Sequence, residues 1–457
     1  MTRLLTSLAT LLPMLLGAAP FIVENGRPNA VIVIANEPSR STRWAAKELQ
    51  ETIEKISGAK LPVAKKPGPG SNLYVGESAH TRRLGITAKG LEHGAYRIVS
   101  GHDWLALIGD DTDFVPTEPW AKNNSDRRNL QARWEEASGL HYGVPNGGMY
   151  KNRERMPADI ANTEREYFWG FDERGSYNAV CGFLRSLGAR WYSPGPLGEV
   201  LPKMSSIPLP QIDEVTSPDF EIRQFSVRFG TADDEVTRWV MRLGTRNVHG
   251  LMVAHGMHTM THPEELKTRH PDWFALYGGK RDTVTGKRLN HLCYSNEKLF
   301  RETVKWAQAQ FDVYNFEGVS IMPPDAYGSI CQCQLCEGKQ IDDMGSRGKL
   351  SNHVWDYANR VAKEIAKTHP GKLIVCCAYG ANTEPPTNIT KLEPNVQVVI
   401  VGGRRPRNSL PEQREYIDNL RAGWLKLASR PIMIFENYPF TGRGTYVPAF
   451  VARVNGE

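Results

Sequence analysis

Between Gly318 and Cys336 the chain reads GVSIMPPDAYGSICQCQLC, and two kinds of reactive side chain stand close together in it. Asp325 follows the apolar, β-branched run Val319 to Met322, which Pro323-Pro324 stops because proline cannot donate to a sheet ladder. Its carboxylate is therefore expected on a loop just past the C-terminal end of a strand. In alternating strand–helix proteins that is the face where active sites are built. Cys331, Cys333 and Cys336 follow as C-x-C-x-x-C. Three thiolates and a fourth ligand make a tetrahedral zinc site, with Cys293 or a histidine from the preceding loop as the expected fourth. A structural role, holding the Asp325 loop, is expected in preference to a catalytic metal. The chain has seven cysteines, so in an exported protein at least one stays free, binds metal or pairs between chains. Cys376-Cys377 falls within a strand-like run and reads as core.

Other polar groups follow other strand-like runs. His255 and His258 follow one, Tyr294 and Asn296 another, and Tyr327 stands beside Asp325. Tyr379, Asn382 and Glu384 follow the next, then Arg404 and Arg405, then Glu436, Asn437 and Tyr438. Carboxylates, imidazoles, amides and aromatic rings converging on one rim suit a hydroxyl-rich ligand such as a sugar. Glycoside cleavage needs an acid to protonate the leaving oxygen. It also needs a second group to stabilise the oxocarbenium-like transition state, unless the substrate's own acetamido group is the nucleophile. Asp325 and Glu436 are the leading carboxylates and Glu384 the third; each could instead cap a helix or pair with an arginine. Glu317 precedes its strand, on the opposite face, and is set aside. His255, His258, Tyr294, Asn296, Tyr327, Tyr379 and Glu384 are the expected substrate contacts. H-x-x-H without a third ligand is a weak metal signature.

Two domains are expected to position these groups. Asn29–Ala35 reads as a strand, and Trp44 to Ile56 as a helix entered at Ser39 or Ser41 and ended by Gly58. With Leu73–Gly76, a hairpin near Gly101 and a helix over Gly175 to Leu187, this makes a small α/β domain over 29–202. Within it 117–168 is polar and irregular and reads as an inserted loop. From Phe220 strand-like and helical segments alternate. The fold class is therefore α/β, a small domain followed over 219–457 by a (β/α)8 TIM-like barrel. Only seven units are legible, so the barrel is expected to be incomplete at its C-terminus through truncation.

Fifty-six basic against 50 acidic residues give a net charge of +6 over 457 residues, with no dense Lys/Arg block. Nucleic acid is therefore not the indicated partner. Arg3, the apolar Leu4 to Leu16 and the small residues Gly17-Ala18-Ala19 read as an export signal over 1–19, too short to span a bilayer; the alternative is a buried N-terminal helix. A secreted or periplasmic location follows. No later run suits a transmembrane helix.

Several segments carry a family resemblance. AAKELQETIEKISGAKLPV resembles the N-terminal domain of α-glucuronidases and hexosaminidase-type enzymes, and RGSYNAVCGFLRSLGARWYSPGPLGEVLP resembles the segment joining it to a barrel. HPDWFALYGGKR, LNHLCYSNEKL and PPDAYGSICQCQLC resemble the domain of unknown function 4838, treated as glycoside hydrolase family 163. The resemblance implies a TIM-barrel hydrolase of the endo-β-N-acetylglucosaminidase type. Such an enzyme acts on N-glycans with retention, assisted by the substrate's acetamido group, and Asp325 would be the acid or the group orienting the acetamido. The adjacent acidic pair of hexosaminidases is missing at this strand. No cofactor is required, and a structural zinc at the cysteines is the one metal indicated. The alternatives are a non-catalytic glycan-binding protein and a zinc-dependent hydrolase using the histidines and cysteines.

Overall fold

The structure is a computed structural model that describes residues 20–121, 126–144, 153–163, 166–224, 233–251, 253–284, 290–402 and 410–436. The expected export signal lies outside them. The chain is a mixed α/β protein of two compact units, Met1–Val115 with Asn152–Asn247, and Pro116–Lys151 with Val248–Glu457.

The first unit holds a six-stranded sheet. Its strands are β1 (Ala30–Val33), β2 (Val63–Ala64), β3 (Ser71–Val75), β4 (Tyr96–Ser100), β5 (Trp104–Gly109) and β6 (Asp213–Thr216), in the order β6-β4-β5-β3-β1-β2. Strands β2, β1, β3 and β5 are parallel; β4 and β6 are antiparallel additions. Helix α1 (Arg40–Ser57) starts where the Ser39 side chain accepts from the Thr42 backbone, and stops at Gly58, whose φ of 79° suits glycine. It buries Ala45, Leu49, Ile53 and Ile56, the stripe that the sequence shows, and packs beside α2 (Gly175–Ser186).

This unit extends past the expected linker to take in α3 (Asp233–Arg242). Trp239 and Met241 join this unit's apolar core, and an ion-pair network binds the same helix. Glu48 on α1 is completely buried, and its carboxylate is met by Arg238 at 2.8 Å and Arg242 at 2.7 Å. A buried charge needs such partners. The domain ranges 29–202 and 219–457 expected from the sequence thus differ from the units observed, because residues 203–247 fold with the first.

In the second unit, part of the expected loop insertion is ordered. Asp126–Ser138 is a helix whose Trp134 is fully buried, stacked on Tyr314 at 5.7 Å and donating to the Tyr142 carbonyl. The central feature is a parallel sheet of β9 (Gly318–Ser320), β10 (Leu373–Ala378), β11 (Val396–Gly402) and β12 (Met433–Glu436), in that order. Before β9 come α4 (Gly256–Thr261), a short hairpin β7 (Leu276–Tyr277) and β8 (Lys280–Arg281), and α5 (Glu297–Tyr314). Helix α6 (Ser351–Thr368) links β9 to β10, and α7 (Pro411–Leu427) links β11 to β12. Every residue of β10 is buried, as a strand covered on both faces must be, and Cys376 and Cys377 are core.

The expected barrel is present in part. Leu251 makes one parallel bridge to Gly318, which extends the row of parallel segments to five. Leu292 pairs only as an isolated antiparallel bridge with Phe274, so the expected strand over 292–295 is a turn instead. Most of the expected strand over 222–229 lies outside the described residues, and among those described the sheet does not close.

Candidate functional site at the Asp325 loop

Three side chains expected at strand ends meet. His255 precedes α4, Asp325 follows β9, and Tyr379 directly follows β10. These are the C-terminal ends of neighbouring parallel segments. Close packing fixes the approach of the first: a β-carbon on Gly256 would stand 1.5 Å from the Ser320 carbonyl oxygen, so only glycine fits beside His255.

The Tyr379 hydroxyl donates to Asp325 Oδ1 at 3.3 Å, and the Ala326 backbone N–H donates to the same oxygen at 2.9 Å. His255 Nε2 stands 3.9 Å from Oδ1, and its ring meets Tyr379 edge-on at 6.1 Å. Asp325 is 49% exposed at its side chain, and among the described residues Oδ2 has no hydrogen-bond partner. His255 Nδ1 faces the Pro323 carbonyl at 2.5 Å. A carbonyl only accepts, so Nδ1 carries a hydrogen and Nε2 is the ring nitrogen that faces Asp325. Burial, and then the Asp325 charge, raise the Tyr379 hydroxyl above its ordinary value of 10, so it stays a donor.

The loop is strained where it carries the carboxylate. Ala326 has φ of +62°, a left-handed conformation that costs a non-glycine residue roughly 1–2 kcal/mol. Such strain persists only where the surroundings hold it. Here the Tyr277 hydroxyl donates to Ser329 O at 2.7 Å, Gln332 N to Leu276 O at 2.8 Å, and Gly278 N to Gln332 Oε1 at 2.7 Å. His291 reaches the Asp325 carbonyl at 3.3 Å. Sequence reasoning passed over His291; its place two residues before Cys293, on the same side of an extended segment, was the available signal.

The other expected site residues are arranged differently. Tyr294 and Tyr327 are buried and pack edge-to-face at 5.3 Å beneath the loop, so they support it and present no face to a ligand. Asn296 is the N-cap of α5, accepting from Lys298 and Leu299 and donating to Asp272. That work uses its amide fully, which corrects its expected role as a contact. Glu384 accepts from the Tyr416 hydroxyl at 2.6 Å, which ties the segment after β10 to α7. His258 lies on α4 with its ring 5.3 Å from that of His262. Glu436 ends β12 in register with Gly402, half-buried, three strands along the sheet from β9. Arg404, Arg405, Asn437 and Tyr438 lie outside the described residues.

The thiols converge. The sulfurs of Cys293, Cys331, Cys333 and Cys336 all lie within 4.8 Å of one another, and Cys293 Sγ is 3.6 Å from both Cys333 and Cys336. Of the two expected sources of a fourth ligand, it is Cys293 that the fold brings in. Hydrogen bonds from Cys293 and Cys336 hold the Cys331 thiol well below the usual range. Elsewhere in this unit a cavity of about 430 Å³ is lined by Tyr142, His270, Trp273, Lys298, Arg301 and Glu302 among others, and by none of the expected site residues. No helix among the described residues is long and apolar enough to cross a membrane.

Comparison with known proteins adds the following. The family model described as "Domain of unknown function (DUF4838)" matches residues 191–452. No curated protein matches. Solved structures similar to the chain include a family GH115 4-O-methyl-α-glucuronidase with specificity for decorated arabinogalactans, at 12% identity and a TM-score of 0.44, covering 91% of this chain and 54% of that one. The chitobiase of Flavobacterium johnsoniae is 9% identical with a TM-score of 0.36, over 89% and 56% of the two chains. A GH20 β-N-acetylhexosaminidase of Streptomyces coelicolor A3(2) is 13% identical with a TM-score of 0.36, over 92% and 72%. The chain thus spans little more than half the length of the first two.

Proposed function

The chain belongs to the DUF4838 family, and from that premise we propose that it is a glycoside hydrolase whose reacting carboxylate is Asp325. One observation carries this reading: a half-exposed carboxylate at a strand end, held at one oxygen by Tyr379 and Ala326 and, among the described residues, open at the other, beside the Nε2 of His255. A carboxylate held at one oxygen and open at the other suits contact with a substrate group. In the finer form of the proposal the substrate is a β-linked N-acetylglucosaminide within an N-glycan. The acetamido N–H donates to Asp325 Oδ2, which orients the acetamido oxygen for attack on the anomeric carbon with retention. Glu436 is the proposed proton donor to the leaving oxygen. The resemblance of HPDWFALYGGKR, LNHLCYSNEKL and PPDAYGSICQCQLC to family 163 supports that substrate class, and the apolar start of the chain supports export.

The test is turnover of N-glycans and aryl β-N-acetylglucosaminides by the full chain and by Asp325→Asn. A properly placed carboxylate contributes about 10²- to 10⁴-fold, and a loss of that size is expected. Full activity in Asp325→Asn removes this residue from the mechanism. Glycan binding without product release from the unaltered protein replaces hydrolysis with recognition.

A further inference from the structure

We propose that Cys293, Cys331, Cys333 and Cys336 bind one zinc ion in a closed, four-thiolate site that fastens the Asp325 loop to the segment leading into α5. The proposal stands apart from the glycosidase reading, since it rests on other residues and other chemistry.

Geometry comes first. Four sulfurs about 2.3 Å from a central ion stand about 3.8 Å apart along the edges of a tetrahedron. Cys293 Sγ stands 3.6 Å from Cys333 and from Cys336, and all four sulfurs lie within 4.8 Å of one another. That span fits a single ion. All four cysteines are free thiols, three buried and Cys333 partly so.

The local backbone is shaped to gather them. Gln334–Cys336 is a single 3-10 turn in which Cys336 N donates to Cys333 O at 2.9 Å, and residues three apart in such a turn point the same way. Cys293 is brought in from a separate segment, its N–H bonded to Trp273 O at 2.8 Å.

The surroundings suit a site carrying excess negative charge. The Leu276 N–H points at Cys331 Sγ from 3.2 Å and Arg281 Nη1 lies 3.9 Å from it. Ser295 Oγ is 3.2 Å from Cys336 Sγ and receives Lys339 Nζ at 2.9 Å. The Leu276 N–H and the Arg281 guanidinium, both directed at Cys331 Sγ, orient it and offset its charge, as the groups around a metal's own ligands commonly do. The need for a staple is also visible. The fully buried members of this local cluster are Ala275 and three of the cysteines themselves, a small apolar store for a long loop. Four protein ligands fill a tetrahedral ion and leave no position for water, so the metal folds the loop and performs no hydrolysis. That separates this site from a zinc-dependent hydrolase.

The experiment is elemental analysis of the full chain after gel filtration, with peptide mass spectrometry under non-reducing conditions. One zinc per chain is expected, displaced on titration of the thiols with a mercurial. Replacement by cobalt is expected to give the visible bands of a tetrahedral ion with thiolate charge transfer. Cys293→Ser and Cys333→Ser should bring zinc close to zero, while Cys181→Ala, which alters a cysteine of the other unit, keeps one per chain. Should the serine variants fail to fold, mercurial release and the cobalt spectrum of the unaltered chain still decide. Folded protein without metal, iron in place of zinc, or these cysteines recovered as disulfides would overturn the proposal. Zinc without turnover removes only the glycosidase reading; turnover without zinc removes only this one.

Discussion

Glu48 and Asp325 are both carboxylates, and the two units treat them in opposite ways. Glu48 is completely buried and accepts from Arg238, Arg242, Tyr177 and Thr52, so both of its oxygens are engaged. Asp325 is half exposed, and its described hydrogen bonds fall on one oxygen. A carboxylate with every lone pair engaged has little left for a ligand. One held by a single oxygen is positioned yet free to react. The difference lies in what surrounds each side chain, since the ionisable group is the same.

The sharpest test of that contrast is Glu48→Gln against Asp325→Asn in urea denaturation. Breaking a buried ion pair by removing one partner costs about 3–5 kcal/mol, and that loss is expected for the first. The second should cost under about 1 kcal/mol, the ordinary scale for a surface substitution. Equal costs would erase the distinction.

Acidity sharpens it further, because two carboxylates of the first unit, the buried Glu48 and the half-buried Asp111, respond in opposite ways. Glu48 is penalised by burial, but Arg238 and Arg242 outweigh this and hold it below its ordinary 4.5. Its contribution is complete above that value and is lost as pH falls through the depressed one. Asp111, bonded to Ser176 N and Thr42 Oγ1, is pushed up by burial to about 7. Between about 4 and about 7 the folded state holds a proton that the unfolded chain releases, so this contribution declines as pH rises across that window. Asp111→Asn should flatten the decline toward neutrality, and Glu48→Gln the loss on the acid side. Denaturation midpoints measured from pH 3 to 8, roughly the range these titrations span, check both.

Smaller effects separate the supporting residues from the reacting ones. Asn296→Ala removes an N-cap and should cost about 1 kcal/mol, with turnover reduced only through the altered start of α5. Tyr379→Phe removes one donor to Asp325 and should leave stability nearly unchanged while lowering kcat roughly tenfold, the worth of a hydrogen bond to a charged group. A large stability loss in Tyr379→Phe would place that tyrosine with Glu48 instead.

Much of this was legible one residue at a time. Ser39 and Gly58 bound α1 because capping is local chemistry, whereas β9 stops at Ser320, two residues short of the Pro323-Pro324 that marks its end in the sequence. The strand-end placement of His255, Asp325 and Tyr379 follows from alternation of strand and helix. Asn296 was misread because an amide after a strand and an amide capping a helix look alike until the helix start is fixed. The span 117–168 looked irregular because Trp134 finds its partner, Tyr314, far along the chain.

The order of residues by itself determined which segments become helix or strand, where they stop, and that a thiol run follows an acidic loop. Those features depend on backbone chemistry and near neighbours. Tertiary structure alone decided that Glu48 is neutralised by two arginines almost two hundred positions away, that Cys293 joins the other three thiols, and that Tyr379 and the Ala326 N–H meet on the same oxygen of Asp325. Each is a meeting of distant groups, and the free energy that selects such meetings, burial of charge and of apolar surface, is set only once the chain has packed.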